Sequence, residues 1–405
     1  MKSINTPLCA VLLGSLFSCS VTADSEVEFE LSGKLSLEAR GFLESPPYEG
    51  QHSGRGALSL ALEPDMYWAM NNGGDTVTFK PFFRLDQQDN QRTHADIREL
   101  SWTHLGDGWE LRSGLRKVFW GVTEFQHLVD VINQSDAVED IDSEDKLGQP
   151  MINLSLVRDW GIVDLYLLPG FREQTFAGRS GRLRTPLVVD TDNNTQYEAG
   201  NKEWHTDLAV RWSHSVGDFD LGTYWFRGTQ RTPELSLDLS GSSPMLVPTY
   251  VQMNQFGFDL QATLNSWLWK AELIWRDTDK EHYWASQAGF EYTFYGIADS
   301  DADLGVLLEY GWDQRGEDAT AIFQNDISAG ARITLNDANS TEFLAGFIHD
   351  LDYHSTSFQV EASRRIGSGW KVSVDGRFFA AKNSRDPLSA LDDDSHIQLT
   401  LDRYF

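Results

Sequence analysis

Cysteine is nearly absent from this chain of 405 residues: there are two, Cys9 and Cys19, both within the first 23 positions. A chain that begins at Asp24 has no thiol, which excludes disulfides, cysteine-based zinc sites and a cysteine nucleophile. Long apolar runs are also missing. Mean hydropathy is -0.39, and past the N-terminal segment no stretch reaches the roughly 20 apolar residues of a membrane-spanning helix. Positive charge is scarce, with 33 Lys and Arg against 61 Asp and Glu and a net charge of -28. That balance excludes the basic footprint of a nucleic-acid binder. Neither a Gly-x-Ser-x-Gly elbow nor a His-Glu-x-x-His helix occurs. No catalysis, cofactor or metal site is expected.

The N-terminus reads as a secretory signal. Lys2 supplies positive charge, Leu8 to Phe17 an apolar core, and Val21-Thr22-Ala23 small residues before a cut at Asp24. The competing lipoprotein box, Leu16-Phe17-Ser18-Cys19, carries a bulky Phe17. Residues 1–23 are therefore taken as the signal and 24–405 as the exported chain.

Aromatics and glycine are plentiful: 14 Trp, 12 Tyr, 23 Phe and 33 Gly. Rich aromatics with low mean hydropathy fit a protein that faces lipid on one side and water on the other. The main signal is period two. From Val27 the odd positions run Val27, Phe29, Leu31, Gly33, Leu35, Leu37, Ala39, and the even ones Glu28, Glu30, Ser32, Lys34, Ser36, Glu38, Arg40. Alternate strand residues point to opposite faces, so this is a strand with one apolar and one polar face. The pattern returns around 267–276, 326–333, 371–378 and 397–405.

Strands are expected near 27–42, 55–69, 75–87, 94–105, 109–120, 150–158, 161–170, 205–215, 217–229, 249–265, 267–279, 283–296, 302–313, 323–336, 340–351, 354–366, 369–381 and 393–405. The set defines an all-β fold: a single transmembrane antiparallel up-and-down barrel of about 18 strands. Connection lengths agree. Short turns such as Asn71–Gly74, Val216-Gly217, Asn265-Ser266 and Gly367-Ser368-Gly369 fall on one side. The long connections 43–54, 121–149, 171–204, 230–248 and 382–392 all fall on the other. Short periplasmic turns and long extracellular loops characterise the class. Tryptophans lie near both strand ends, Trp68, Trp109, Trp160, Trp267 and Trp370 by the turns, Trp120, Trp225, Trp275, Trp284 and Trp312 by the loops. Two interfacial belts are expected.

The ending His396-Ile-Gln-Leu-Thr-Leu-Asp-Arg-Tyr-Phe405 resembles the terminal strand of bacterial outer-membrane proteins, with Arg403 where an aromatic is frequent. The resemblance implies that Phe405 serves as a signal to the barrel-assembly machinery. The segment Glu110-Leu-Arg-Ser-Gly-Leu-Arg-Lys-Val-Phe-Trp-Gly121 is similar to strands of the alginate-export and substrate-specific porins of Gram-negative bacteria. That similarity implies a porin-like barrel in the outer membrane.

If the apolar positions face lipid, the pore wall carries Arg84, Arg112, Arg116, Arg211, Lys270 and Glu272. Arg276, Asp326, Arg332, Asp375 and Arg377 join them. Fixed charges of this kind set ion preference. Connection 121–149 is the candidate constriction. Phe125, Leu128, Val129 and Ile132 have helical spacing, and Glu139, Asp140, Asp142, Glu144 and Asp145 follow. These acids are expected to meet Arg112 and Arg116 inside the lumen. The arginines of 171–204 (Arg172, Arg179, Arg182, Arg184) suit either an anionic ligand or acidic neighbouring loops. Two functions follow: a channel for small polar or charged solutes, or a non-conducting surface barrel that binds through its loops. Expected partners are outer-membrane lipid, lipopolysaccharide, the assembly machinery and a small polar solute.

Overall fold

A computed structural model of the protein describes residues 27–191, 194–241, 243–319 and 321–405; the expected signal at 1–23 lies outside them. Eighteen strands form one antiparallel sheet, from Val27–Phe42 to His396–Tyr404. The sheet closes because the first strand pairs both with Gly56–Met70 and with the last strand, Lys34 opposite Tyr404 and Phe42 opposite His396. Closure leaves no unpaired edge, the condition for a sheet in hydrocarbon. Among the described residues no helix is long and apolar enough to cross a membrane. The strands do the crossing.

Burial is inverted relative to a water-soluble protein. Leu31, Leu60, Leu273 and Leu399 are exposed on the outside, whereas Ser36, Glu38, Glu272 and Glu309 are buried within. An outer surface of this kind is stable only against lipid. The two-residue turns at 217–218 and 265–266 need left-handed backbone, which Gly217 (φ 61°) and Asn265 (φ 58°) supply. Beside the second, Trp267 stacks on Trp269 with ring centres 5.5 Å apart and meets Tyr292 at 4.6 Å. This is an interfacial aromatic cluster.

Every expected strand is present, with three differences of note. The strand expected at 109–120 ends at Arg116, because the chain there turns into the lumen. Trp120, expected in the outer belt, is buried inside against Tyr166 and Tyr224. Finally, the outer connections contain a second sheet of Gln196–Tyr197, Glu234–Asp238 and Met245–Tyr250. It was not among the expected strands, although Glu234-Leu-Ser-Leu-Asp238 alternates polar and apolar residues.

Candidate functional site: the charged lumen and its inner loop

Connection 117–148 folds into the barrel and is held there largely by wall carboxylates accepting backbone N–H groups. Glu272 takes three: Val122 (2.7 Å) and Thr123 (3.1 Å) on Oε1, and Val129 (3.1 Å) on Oε2. The Thr123 hydroxyl adds a fourth bond at 2.8 Å. Glu309 accepts from Glu124 (2.8 Å) and Phe125 (3.2 Å). The loop carries a carboxylate of its own, Asp130, which accepts from the N–H groups of Trp120 (2.7 Å) and Gly121 (3.0 Å). An irregular segment inside a barrel must have its backbone groups satisfied one by one, and buried carboxylates are strong acceptors.

The helix expected from Phe125, Leu128, Val129 and Ile132 is absent; the segment is irregular. The four residues still divide by polarity of environment. Val129 and Ile132 are buried in an apolar cluster with Trp120, Tyr166, Tyr224, Phe226 and Ile274, and Leu128 packs against it. Phe125 lies elsewhere. Its ring sits over Gly330 and Gly346, where an added Cβ would come within 3.5 and 3.3 Å of it. These glycines face each other across adjacent strands, so together they form a flat seat.

The loop's charges reach the wall at four places. Glu124 lies between Lys270 (3.2 Å) and Arg332, and Arg332 also meets Glu291 at 3.2 Å. Glu139 pairs with Arg84 (2.6 Å), which also holds Glu38 (2.6 Å). Asp140 (3.3 Å) and Asp142 (2.8 Å) meet Arg377, which contacts Asp375 at 3.2 Å. Asp136 binds Arg98 at 2.5 Å, and Glu144 meets His127 at 3.1 Å. Asp145 has its carboxyl pushed up to about 6 by enclosure within the barrel and by the charges of Glu139, Asp142 and Asp140, against the opposing pull of Arg98.

The acids do not reach Arg112 and Arg116. Arg112 instead pairs with Glu110 and donates to Asn153 (3.2 Å) and Ser155 (3.0 Å). The Arg116 guanidinium forms no hydrogen bond or ion pair among the described residues; its backbone carbonyl accepts from Asn133 at 2.7 Å. The chain leaves this strand and crosses the lumen, so acids more than 20 positions further on arrive at the walls that carry Arg84 and Arg377. Arg211 pairs with Asp259 (2.7 Å) and lies over Trp120, and Arg276 donates to Gln255 at 2.7 Å. Asp326 is buried and does not line the main cavity. Of the outer arginines, Arg172 pairs with Asp96 (2.7 Å) and Arg182 with Asp394, the acidic-neighbour alternative of the two weighed for 171–204. His94, Asp136 and Glu139 bring three possible ligand atoms within 4.8 Å of one another. Arg98 and Arg84 already neutralise both acids.

Sequence reasoning missed the anchoring role of Glu272 and Glu309, the Asp130 turn and the glycine seat. An inward glycine among otherwise polar inward residues, as at Gly330, was the available signal.

The lumen holds a cavity of about 1600 Å³. Lys34, Glu63, Lys371 and Asp402 line it toward the short-turn end, and Asp313, Arg315 and Pro387 toward the loop end.

A closed eighteen-stranded antiparallel barrel with an apolar exterior and a charged interior crossed by an inward-folded connection has the fold of the outer-membrane porins. Its solved structural neighbours agree. One is a BenF-like porin from Pseudomonas fluorescens Pf-5 (TM-score 0.55, 10% identity, covering 94% of this chain and 98% of that one). Another is Wzi of Escherichia coli, an outer-membrane protein involved in group 1 capsule assembly and a carbohydrate-binding β-barrel (TM-score 0.52, 9% identity, 91% and 83% covered). No protein-family model and no curated protein sequence matches the chain.

Proposed function

We propose that the protein is a porin-like channel of the bacterial outer membrane, reached after removal of residues 1–23, that passes small polar or charged solutes through a pore narrowed by connection 117–148. The cavity of about 1600 Å³ carries this reading. Charged side chains line it toward both ends of the barrel, and a charged wall of this kind suits a water-filled pore. The loop narrows the pore and adds acid, since Glu139, Asp140, Asp142, Glu144 and Asp145 all line the cavity. Conductance of the purified protein in planar bilayers tests the reading. Discrete channel openings are expected. Electrically silent protein that is folded and inserted contradicts it.

The alternative is a surface barrel that binds ligand without conducting. It is favoured by the outer connections, where Ile141, Leu183 and Ile322 pack on Phe379, Leu388 and Leu391 and narrow the mouth. A silent barrel that retains polysaccharide on a column would support it.

A further inference from the structure

The wall beside the inner loop carries a run of ion pairs in which acids and arginines alternate. From one end it reads Asp86, Arg92, Glu38, Arg84 and Glu139, with separations of 2.9, 2.8, 2.6 and 2.6 Å. From the other it reads Arg172, Asp96, Arg98 and Asp136, at 2.7, 3.2 and 2.5 Å. Arg84 and Arg98 are thus each shared with a second acid, and the run holds five carboxylates against four guanidiniums. The alternation breaks where Glu139 and Asp136 of the inner loop meet. The imidazole of His94, the first residue of the wall strand His94–Gly106, stands at the break. Its Nε2 is 3.6 Å from Oε1 of Glu139 and 3.8 Å from Oδ2 of Asp136.

The ring is fixed from its other side. Nδ1 lies 3.0 Å from the backbone carbonyl oxygen of Arg92, which can only accept, so Nδ1 carries a proton. The ring also packs on Phe82, with centres 5.3 Å apart. Nε2 is buried and has no hydrogen-bond partner among the described residues. The acids it faces, Asp136 and Glu139, are 0% and 6% exposed. A proton on Nε2 would draw a carboxylate to about 2.7–2.9 Å, well inside the observed separations. Those separations are close to the spacing of atoms around a shared ion: ligands bonded to a tetrahedral zinc lie roughly 3.3–3.6 Å from one another. All three ligand atoms fall within 4.8 Å of one another. The outer contacts suit ligation as well. A metal-bound imidazole donates its other N–H to a carbonyl, and metal-bound carboxylates take hydrogen bonds from neighbours. Here the carbonyl is that of Arg92 and the neighbours are Arg84 and Arg98.

We propose that His94, Asp136 and Glu139 bind a zinc ion through Nε2, Oδ2 and Oε1, with a fourth position left for water. A nitrogen with two carboxylate oxygens suits zinc better than calcium or magnesium, which take oxygen ligands. The ion fills the break in the alternation of charge and ties the inner loop to the wall at His94. Glu139 lines the main cavity, which gives the ion its route in. The inference does not rest on conduction.

The test uses the full chain folded in detergent and freed of metal with EDTA. Its thermal unfolding midpoint is measured with zinc, calcium or magnesium added at equal ionic strength. Zinc should raise the midpoint, because an ion held by the folded state alone stabilises it, and the other two should not. Cobalt(II) added to the parent should give the visible absorption of a tetrahedral site, and zinc should displace it; this readout needs no variant. His94→Gln should lose both the zinc shift and the cobalt band. His127→Gln, beside Glu144 and Glu272, should keep both. A parent without a zinc shift overturns the proposal and leaves the break to a proton on Nε2. An equal shift with calcium or magnesium also overturns it, as does a full zinc shift in His94→Gln.

Discussion

Glu272 and Leu273 are neighbours in sequence and face different solvents. Glu272 is 1% exposed and carries four hydrogen bonds from the inner loop, whereas Leu273 is 39% exposed on the lipid side. Their fates on substitution should differ in kind. Leu273→Arg puts a charge into hydrocarbon near mid-strand and should lower the unfolding free energy by about 2–4 kcal/mol. An unchanged value in a chemical unfolding titration would refute the outward placement. Glu272→Ala leaves the barrel wall intact but strips the acceptor from three buried N–H groups, each worth about 1–3 kcal/mol when left unsatisfied. The loop should then detach. Open-channel current should become noisy, and protease should cut within 117–148. A quiet channel and a protected loop would show that Glu272 is not the anchor.

At the scale of the element, the inner loop is a movable set of negative charges. Deleting 134–146 removes six acids, Asp136, Glu139, Asp140, Asp142, Glu144 and Asp145, and one base, Lys146, and uncovers Arg84, Arg98 and Arg377. Single-channel conductance should rise, and the reversal potential in a salt gradient should move toward anions. If neither changes, the loop does not limit the pore. The loop should also respond to pH. Asp145 is raised to about 6, against roughly 4 in an unfolded chain. The folded protein therefore holds this proton more tightly, so the penalty on the folded loop grows as pH rises between these values and is relieved below them. Glu139, Asp140 and Asp142 oppose its charge, while Arg98 and Lys117 attract it. Lowering pH from about 7 to about 5 should weaken cation preference. Asp145→Asn should flatten that response, and a variant that titrates like the parent would rule out Asp145 as its source.

At the scale of the molecule, stability is tied to closure. Phe405 exchanges both backbone hydrogen bonds with Gly33 (3.0 and 3.1 Å). Its ring occupies the space where a Gly33 side chain would stand, 2.5 Å from an added Cβ. The seam thus joins residues from opposite ends of the described chain, which makes closure a late and non-local event. We propose that Phe405 is also read by the barrel-assembly machinery. Phe405→Asp should reduce the amount of folded, heat-modifiable protein in the outer membrane. Gly33→Val should weaken the seam of the purified protein while leaving the terminal signal in place. Wild-type insertion of the Phe405→Asp variant would refute the signal role.

The sequence by itself determined the strands, their inward and outward faces, the direction of the connections and the closed barrel. Each of these follows from period-two alternation and turn chemistry, which are local. The lumen-facing identity of Glu272, Arg84 and Arg377 followed from the same alternation. Their partners did not. Helical spacing at Phe125, Leu128, Val129 and Ile132 was a false lead, because in an irregular loop the wall decides where each side chain packs. Trp120 went inside for the same reason. Arg112 and Arg116 adjoin the acidic loop in sequence, yet its acids pair with other walls. Pairing across a lumen depends on which walls the loop meets after closure, and that arrangement belongs to the tertiary structure alone.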